Sequence, residues 1–387
     1  MREKTRKYYI IGMIVLVSLV ILCHIFYQNS FEESKDISVD EIMQILGYEK
    51  TNSELFIYEK IEFELEITVI CDFVASKCYK NNYEFDLMGN VFVKDGEYYL
   101  THELVKTIFN VEIHSDGVEV MKYELHEWTK YKLVAHAGGV VRDGEINSVY
   151  TNSVEALIQN YNLGHRLFEF DFNMTTDGVL ASVHEWDNFG HLNGESMSYE
   201  EWKDFKTNGY PMTEGRYTTM IIDDILDHMV INKDMILITD TKSMNASDEE
   251  QIIIFQQIYD KAIVRGEGLI DRIIPQIYNE HMYDVIKKVY DFPSIIYTLY
   301  ATESSYDTII DFVLSHDDIK VVTIGYYSQH YSFGFINAFN ANDKIVYVFT
   351  LNTYEEAQEC IDLGIKGFYT DFLLPNDIEV IESLMDK

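Results

Sequence analysis

Basic side chains are scarce. Lys and Arg number 30 against 65 Asp and Glu, a formal charge of −35 in 387 residues. Nucleic-acid binding needs a basic footprint, so that class is excluded. The same charge repels an anionic ligand unless a bound cation reverses the local field. Proline is nearly absent at 4 residues and glycine is ordinary at 20, which excludes collagen-like and low-complexity disordered chains. Only 4 cysteines occur and none form a C-x-x-C pair, so a zinc knuckle is excluded. Cys23 lies in an apolar N-terminal run and Cys360 in a predicted helix. Cys71 and Cys78 are close enough in sequence to form a disulfide.

What the chain does contain is apolar mass: 47% hydrophobic residues, enough for one large and one smaller domain. One apolar stretch stands apart. Residues 8–28 carry no acidic or basic side chain other than His24. About 20 such residues in a helix span a hydrocarbon core. Arg2, Lys4, Arg6 and Lys7 precede the run, and Glu32 and Glu33 follow it. The positive-inside bias therefore predicts a cytoplasmic tail at 1–7 and an uncleaved transmembrane helix at 8–28, a signal anchor. A cleaved signal peptide is the rival, disfavoured by the length of the run and the lack of a small-x-small site. The expected location is the cell membrane, single-pass, with everything after residue 28 extracytoplasmic.

Residues 29–128 read as a linker and a small α+β domain. A helix is expected at Val39–Leu46, strands within Leu55–Ile70, a hairpin at Val91–Tyr99 turning on Lys94-Asp95-Gly96, a short helix at Thr101–Phe109 and a strand from Val111 to His114. The stretch VFVKDGEYYLTHELVKTIFNVEIHSDGVEV, residues 91–120, resembles the stalk-like domain related to the copper amine oxidase N-terminal domain. That resemblance implies a spacer or wall-contact module, with His102 and His114 as surface residues.

Residues 129–387 change texture. Apolar runs at Lys132–His136, Leu167–Asp171, Met235–Asp240, Ile273–Ile277, Ser294–Leu299, Ile319–Thr323, Lys344–Thr350 and Gly367–Asp371 alternate with helical stretches. The helices are expected at Ser153–Leu163, Asp223–Val230, Asp248–Val264, His281–Tyr290, Tyr306–Leu314, Gln329–Asn340 and Tyr354–Leu363. The fold class is α/β, and eight strands favour a closed (β/α)8 TIM barrel over an open sheet.

Catalytic groups of such barrels gather at the C-terminal ends of the strands. Here those ends carry His136-Ala-Gly-Gly, Glu169-Phe-Asp171, His184 after an Asp177-Gly178 turn, and Asp240-Thr-Lys242. Glu169 and Asp171 are two apart on one strand and share a face. Two inward carboxylates repel, and a hard divalent cation, Ca2+ or Mg2+, removes that penalty. Asp240 supplies a third carboxylate. His136 and His184 can exchange protons near neutral pH, and Lys242 offers positive charge to phosphoryl oxygens. Asn152, Arg142, Trp186, Gln276 and Tyr278 are candidate substrate contacts, with Tyr326, Phe349 and Asn352 behind them.

The ordered motifs HAGG, TNSVEAL (Thr151–Leu157), FEFDF, TTDGVLASVHEWD, LITDTK and FTLNTYEEAQECIDLGIKGFYTD (Phe349–Asp371) resemble the glycerophosphodiester phosphodiesterase family from about residue 131 to 375. The resemblance implies metal-dependent hydrolysis of glycerophosphodiester-type bonds. His136 and His184 match an acid/base pair, Glu169 and Asp171 two metal ligands, and Lys242 a phosphate-stabilising lysine. It further implies attack by the substrate's neighbouring hydroxyl and then hydrolysis of a cyclic phosphate. Expected substrates are glycerophosphodiesters, lipid head groups or glycerol-phosphate polymers. Three positions depart from the pattern: Ala137 replaces an Arg, Thr151 a Glu, and Asp240 a Glu. Arg142 is a candidate to restore the lost guanidinium charge. The Asp-x-Lys form is also similar to sphingomyelinase D-type phospholipases, so a phospholipase is one alternative. A catalytically inactive barrel that binds an envelope polymer is another.

Overall fold

The computed structural model describes residues 38–378 other than 53–55, 63–64, 81–82, 88–90, 95, 102–104, 106–110, 115–116, 121–124, 145, 188–192, 212–214 and 267. The expected anchor at 8–28 lies outside the described residues, and the expected helix at Thr101–Phe109 lies largely outside them. Among the described residues no helix is long and apolar enough to cross a membrane. The chain divides into two compact units, one within the first 121 residues and one carried mainly by residues 122–387.

The smaller unit opens with the helix Val39–Ile45, whose N-terminus is capped by the Ser38 hydroxyl. A five-stranded antiparallel meander follows, with strands at Glu49–Asn52, Ile57–Glu62, Leu65–Asp72, Lys77–Lys80 and Tyr83–Asp86. Register places Cys71 directly opposite Cys78. Cross-strand Cβ atoms at such a pair are close, and the two cysteines form a disulfide. The expected hairpin is present as Val91–Lys94 with Glu97–Leu100, and Val111–His114 pairs with Gly117–Val120.

The larger unit is an eight-stranded parallel barrel. Its strands are β1 (Leu133–Ala135), β2 (Leu167–Met174), β3 (Ile236–Asp240), β4 (Ile273–Ile277), β5 (Ile295–Thr298), β6 (Ile319–Gly325), β7 (Ile345–Phe349) and β8 (Gly367–Thr370). They pair in chain order, and β1 closes the ring against both β2 and β8. The helices outside are α1 (Val154–Asn162), α2 (Ile222–Ile231), α3 (Asp248–Ile263), α4 (Glu280–Ile286), α5 (Tyr306–Ser315), α6 (Phe333–Asn340) and α7 (Tyr354–Asp362). Two helices fall short of the predicted length by three residues or more. The first, α6, starts at Phe333 because the Ser332 hydroxyl caps it. The second, α4, ends at Ile286, with turns continuing to Val289. Among the described residues of this unit, elements that were not expected include the hairpin Val141–Asp143 with Ile146–Ser148, the two-residue pairing Lys206–Thr207 with Tyr217–Thr218, and the helix Tyr199–Asp204.

Strand alternation decides what faces the axis. Phe168, Phe170, Phe172 and Leu237 pack outward in the core shared with the helices. Val134, Leu167, Ile236, Ile238, Ile274, Ile296 and Val321 fill the barrel interior with Tyr347 and Tyr369. Trp128 joins that interior cluster from the segment before β1, fully buried, its indole N–H donating to the Ser294 hydroxyl at 2.9 Å. Because Val134, Leu167 and Ile238 face inward, period two sends His136, Glu169, Asp171 and Asp240 inward at the opposite end.

Candidate active site

The β2–β3 register sets Asp171 beside Asp240, and Glu169 lies one pleat below Asp171 on the same face. Carboxylate oxygens of the three lie within 4.8 Å of one another, all buried. Burial, and then the neighbouring Asp171 charge, push Glu169 up to about 8. Burial also opposes the charge of Asp171, but the ammonium of Lys242 and the ring of His184 outweigh it and hold the carboxyl low. Lys242 Nζ contacts Asp171 Oδ1 and Asp240 Oδ2, each at 2.7 Å, and those carboxylates raise its pKa despite burial. Asp240 is fixed from behind. It accepts from the Tyr278 hydroxyl, which is fully buried, and from the Tyr300 hydroxyl at 3.2 Å. The Tyr278 oxygen also accepts the Lys242 backbone N–H at 2.9 Å.

His136 directly follows β1, and its Nδ1 lies 2.9 Å from Oδ1 of Asp371, which directly follows β8. Burial disfavours the charged ring, but the Asp371 carboxylate outweighs burial, with help from Glu169 and Asp171, and lifts His136 to about 9. The turn after His136 is tight. Ala137, Gly138 and Gly139 all take positive φ, and a Cβ on Gly139 would meet the Asn160 amide at 2.7 Å. This conformation aims the Ala137 N–H at Glu169 Oε2, 2.8 Å away. His184 follows the strand Leu180–Ser182, which pairs antiparallel with the end of β2. The Asn173 amide holds the His184 carbonyl at 3.1 Å. The Tyr150 ring stands edge-on to both imidazoles, at 4.6 Å from His136 and 5.4 Å from His184. The two histidines are therefore no farther apart than the sum of those distances. Tyr150 is pushed up to about 12 by burial and by the carboxylates of Asp371 and Asp171.

Four residues of this site hold left-handed backbone: Ala137 (φ 48), Tyr150 (φ 59), Asn152 (φ 49) and Lys242 (φ 50). Each costs roughly 1–3 kcal/mol outside glycine, and such strain concentrates at functional sites.

The other predicted residues take varied places. The Asn152 amide donates to Asp171 Oδ2 at 2.8 Å while its carbonyl accepts the Asp171 N–H at 3.0 Å, so it clamps a carboxylate. Asn352 repeats this on Asp371, at 2.9 and 2.8 Å. Tyr278 reaches Asp240 and not open space. Gln276 accepts from the Tyr369 hydroxyl at 3.0 Å inside the barrel. The Arg142 guanidinium lies against Asn160 Oδ1 (3.4 Å) and the Phe372 carbonyl (3.2 Å), on the hairpin beyond β1. Trp186 packs edge-on to Trp202, 5.5 Å between centroids. Tyr326 bonds Tyr327 and Glu359, and the Phe349 ring packs on Tyr300. Sequence reasoning missed Asp371, Tyr150 and Tyr300 as members of the site. Asp371 was visible at the end of the last strand, one residue beyond the position paired with Ala135. Tyr150 and Tyr300 carried no distinguishing signal among 29 tyrosines.

A model of the glycerophosphoryl diester phosphodiesterase family matches residues 144–374, beginning after the His136 turn and ending after Asp371. Two solved structures from Parabacteroides distasonis ATCC 8503 are similar in fold. One, a glycerophosphodiester phosphodiesterase, superposes with a TM-score of 0.52 at 17% identity, covering 66% of this chain and 98% of that one. The other, a glycerophosphoryl diester phosphodiesterase, gives 0.50 at 16% identity, covering 68% and 93%. No curated protein sequence matches the chain.

Proposed function

The chain belongs to the glycerophosphoryl diester phosphodiesterase family, which makes it a phosphoric diester hydrolase, and from that premise we propose that Glu169, Asp171 and Asp240 hold a divalent cation between His136 and His184. The observation that carries this reading is the convergence of three buried carboxylates within 4.8 Å at the barrel mouth. Their donor set is all oxygen, suited to Ca2+ or Mg2+. Burial first, and then the like charge of Asp171, push Glu169 upward, and a cation would relieve that repulsion. A carboxylate offers about four lone-pair sites, so Asp171 and Asp240 can serve Lys242 and a cation together. When bound, the cation draws in the non-bridging phosphoryl oxygens and polarises the phosphorus.

The chain's own residues do the rest. Lys242 adds fixed positive charge beside the phosphoryl oxygens. Asp371 occupies Nδ1 of His136 and leaves Nε2 to exchange a proton with the substrate. One imidazole accepts the proton of the substrate's neighbouring hydroxyl, and the other protonates the departing alcohol. Their reversed roles admit water to the cyclic phosphate.

The topology belongs to the same proposal: a single-pass anchor at 8–28 with the catalytic unit outside the cell. The basic residues before that run support it. So does the Cys71–Cys78 disulfide, since such bonds persist in oxidising compartments.

The test is release of choline from glycerophosphocholine, which carries a hydroxyl beside its phosphate, by the full chain with Ca2+ or Mg2+. Turnover abolished by EDTA and by His136→Ala is expected. A folded protein that cleaves no diester with either metal overturns the reading.

A further inference from the structure

Between the βα loops that follow β2 and β3 lies a cavity of 530 Å³. It shares Lys242 with the carboxylate centre, and Trp186 in its wall follows two residues after His184. It therefore opens beside the place where a phosphoryl group would lie. Its floor is apolar: Phe172 and Leu180 are fully buried and Ile254 nearly so. Its walls are Met174, Trp186 and Ile253. Ile253 is 55% exposed on the first turns of α3, an aliphatic side chain that the core does not claim.

Most of the polar side chains along the lining are committed elsewhere; Lys242 is held by the carboxylate centre, and the Ser196 hydroxyl remains. The Asn173 amide donates to the carbonyls of Val183 and His184. The Thr241 and Ser243 hydroxyls bond each other at 2.7 Å. Glu250 is turned back into the α3 capping box with Ser247. A polar ligand portion placed against the Phe172, Leu180 and Ile254 floor would lose water and gain few partners, which is costly. A hydrocarbon loses nothing. The volume is that of a ligand pocket and not of a packing defect.

Resting on the hydrolase reading above, we propose that this cavity takes one hydrocarbon chain and that the preferred substrate class is a monoacyl glycerophosphodiester. The single chain follows from the chemistry. The free hydroxyl next to the phosphate must attack, and a second ester would remove it. In the first step that hydroxyl oxygen bonds to phosphorus while the P–O bond to the head-group alcohol breaks. The hydroxyl proton passes to one imidazole, and the leaving alkoxide takes a proton from the other. A cyclic acylglycerol phosphate and a free alcohol result. Water then opens the ring to the monoester.

The experiment measures choline release by the full chain, with Ca2+ or Mg2+, from three substrates: 1-dodecanoyl-glycerophosphocholine, glycerophosphocholine and a didodecanoyl phosphatidylcholine. The expected kcat/KM for the monoacyl substrate exceeds that for glycerophosphocholine at least tenfold, with no cleavage of the diacyl lipid. Ile253→Glu and Ile253→Lys, opposite in charge and both on an exposed helix position, should each cut that ratio at least fivefold. General damage to the centre would instead lower both rates together. A ratio near one, or a ratio unmoved by both variants, overturns the inference while leaving the hydrolase intact. Cleavage of the diacyl lipid overturns the internal attack. Silence on all three substrates overturns the hydrolase reading and the substrate class with it.

Discussion

Replacing Asp371 by Asn tests the least obvious part of the site. The carboxylate sits 2.9 Å from His136 Nδ1 and is not one of the three clustered carboxylates. Its other oxygen accepts from Asn352, and its backbone N–H donates back to Asn352. The substitution keeps size and most of the backbone clamp but removes the charge-assisted bond to the ring. Hydrogen bonds to charged groups are worth about 1.5–3 kcal/mol. At roughly 1.36 kcal/mol per decade of rate, kcat should fall about 10- to 150-fold. Substrate binding rests on other groups, so KM should move less than about threefold. The assay is initial-rate release of alcohol from glycerophosphocholine at saturating metal, with a thermal melt to show an intact fold. Asn352→Ala leaves the carboxylate but loosens it, and should fall between parent and Asp371→Asn. If Asp371→Asn keeps more than a third of kcat, or if its loss appears wholly in KM, the claim that Asp371 orients His136 is wrong.

Two further outcomes are expected. Tyr278→Phe removes a hydroxyl that reaches Asp240. Residues behind a metal ligand typically contribute 10- to 100-fold in metal affinity, so the Ca2+ or Mg2+ concentration giving half-maximal activity should rise about tenfold or more, with turnover at saturating metal less affected. The second concerns acid stability. His165 is buried and His228 partly buried, and both are pushed down to about 4, by burial first. A histidine whose folded pKa lies below its unfolded value of roughly 6.5 stays neutral when folded and protonates on unfolding. Its contribution is complete above that unfolded value and is lost as pH falls from about 6.5 toward 4. Between pH 7 and pH 5 each should cost about 2 kcal/mol of unfolding free energy. Urea denaturation at the two pH values checks this, and His165→Gln should recover its share. A parent chain as stable at pH 5 as at pH 7 refutes it.

Much of the barrel was legible because its signal is local. Each strand is a short apolar run, and all eight were placed within a few residues of β1–β8. The three carboxylates were legible for the same reason. Period two puts Glu169 and Asp171 on one face, and Asp240 ends the neighbouring strand. What stayed hidden depends on distance in sequence. Asp371 is 235 residues from His136 and meets it only because β8 closes the ring onto β1. Tyr278 looked like a substrate contact because strand ends are exposed on average. In the fold its hydroxyl is drawn down to Asp240, and it becomes a support. Gln276 faces the barrel interior, where Tyr369 satisfies it. Arg142 sits on a hairpin that no apolar pattern announced. The small unit was harder to read because its strands are short and charged, with Glu49–Asn52 largely exposed.

The two asparagine clamps give the site a symmetry that its motifs conceal. Thr151–Asp171 and Leu351–Asp371 share one plan: an Asn, a Ser or Thr that caps the helix, a helix of the same length, a Leu-Gly stop and a strand that leads to the Asp. Gly164 and Gly364 both take positive φ, 103° and 96°, which ends each helix so that the next strand can turn back. In each unit the Asn reaches across to grip the Asp two ways, 19 residues on. The strands that carry these aspartates to the barrel mouth, β2 and β8, are the two neighbours of β1. The same local device therefore delivers one rigid carboxylate to each side of His136. One side is loaded with Glu169, Asp240 and Lys242 and becomes the charged centre. The other has no such companions, so its carboxylate is free to serve the imidazole. A single folding solution, used twice around one strand, thus supplies both a ligand and an orienting base. The division of labour is decided by what the next strand over contributes.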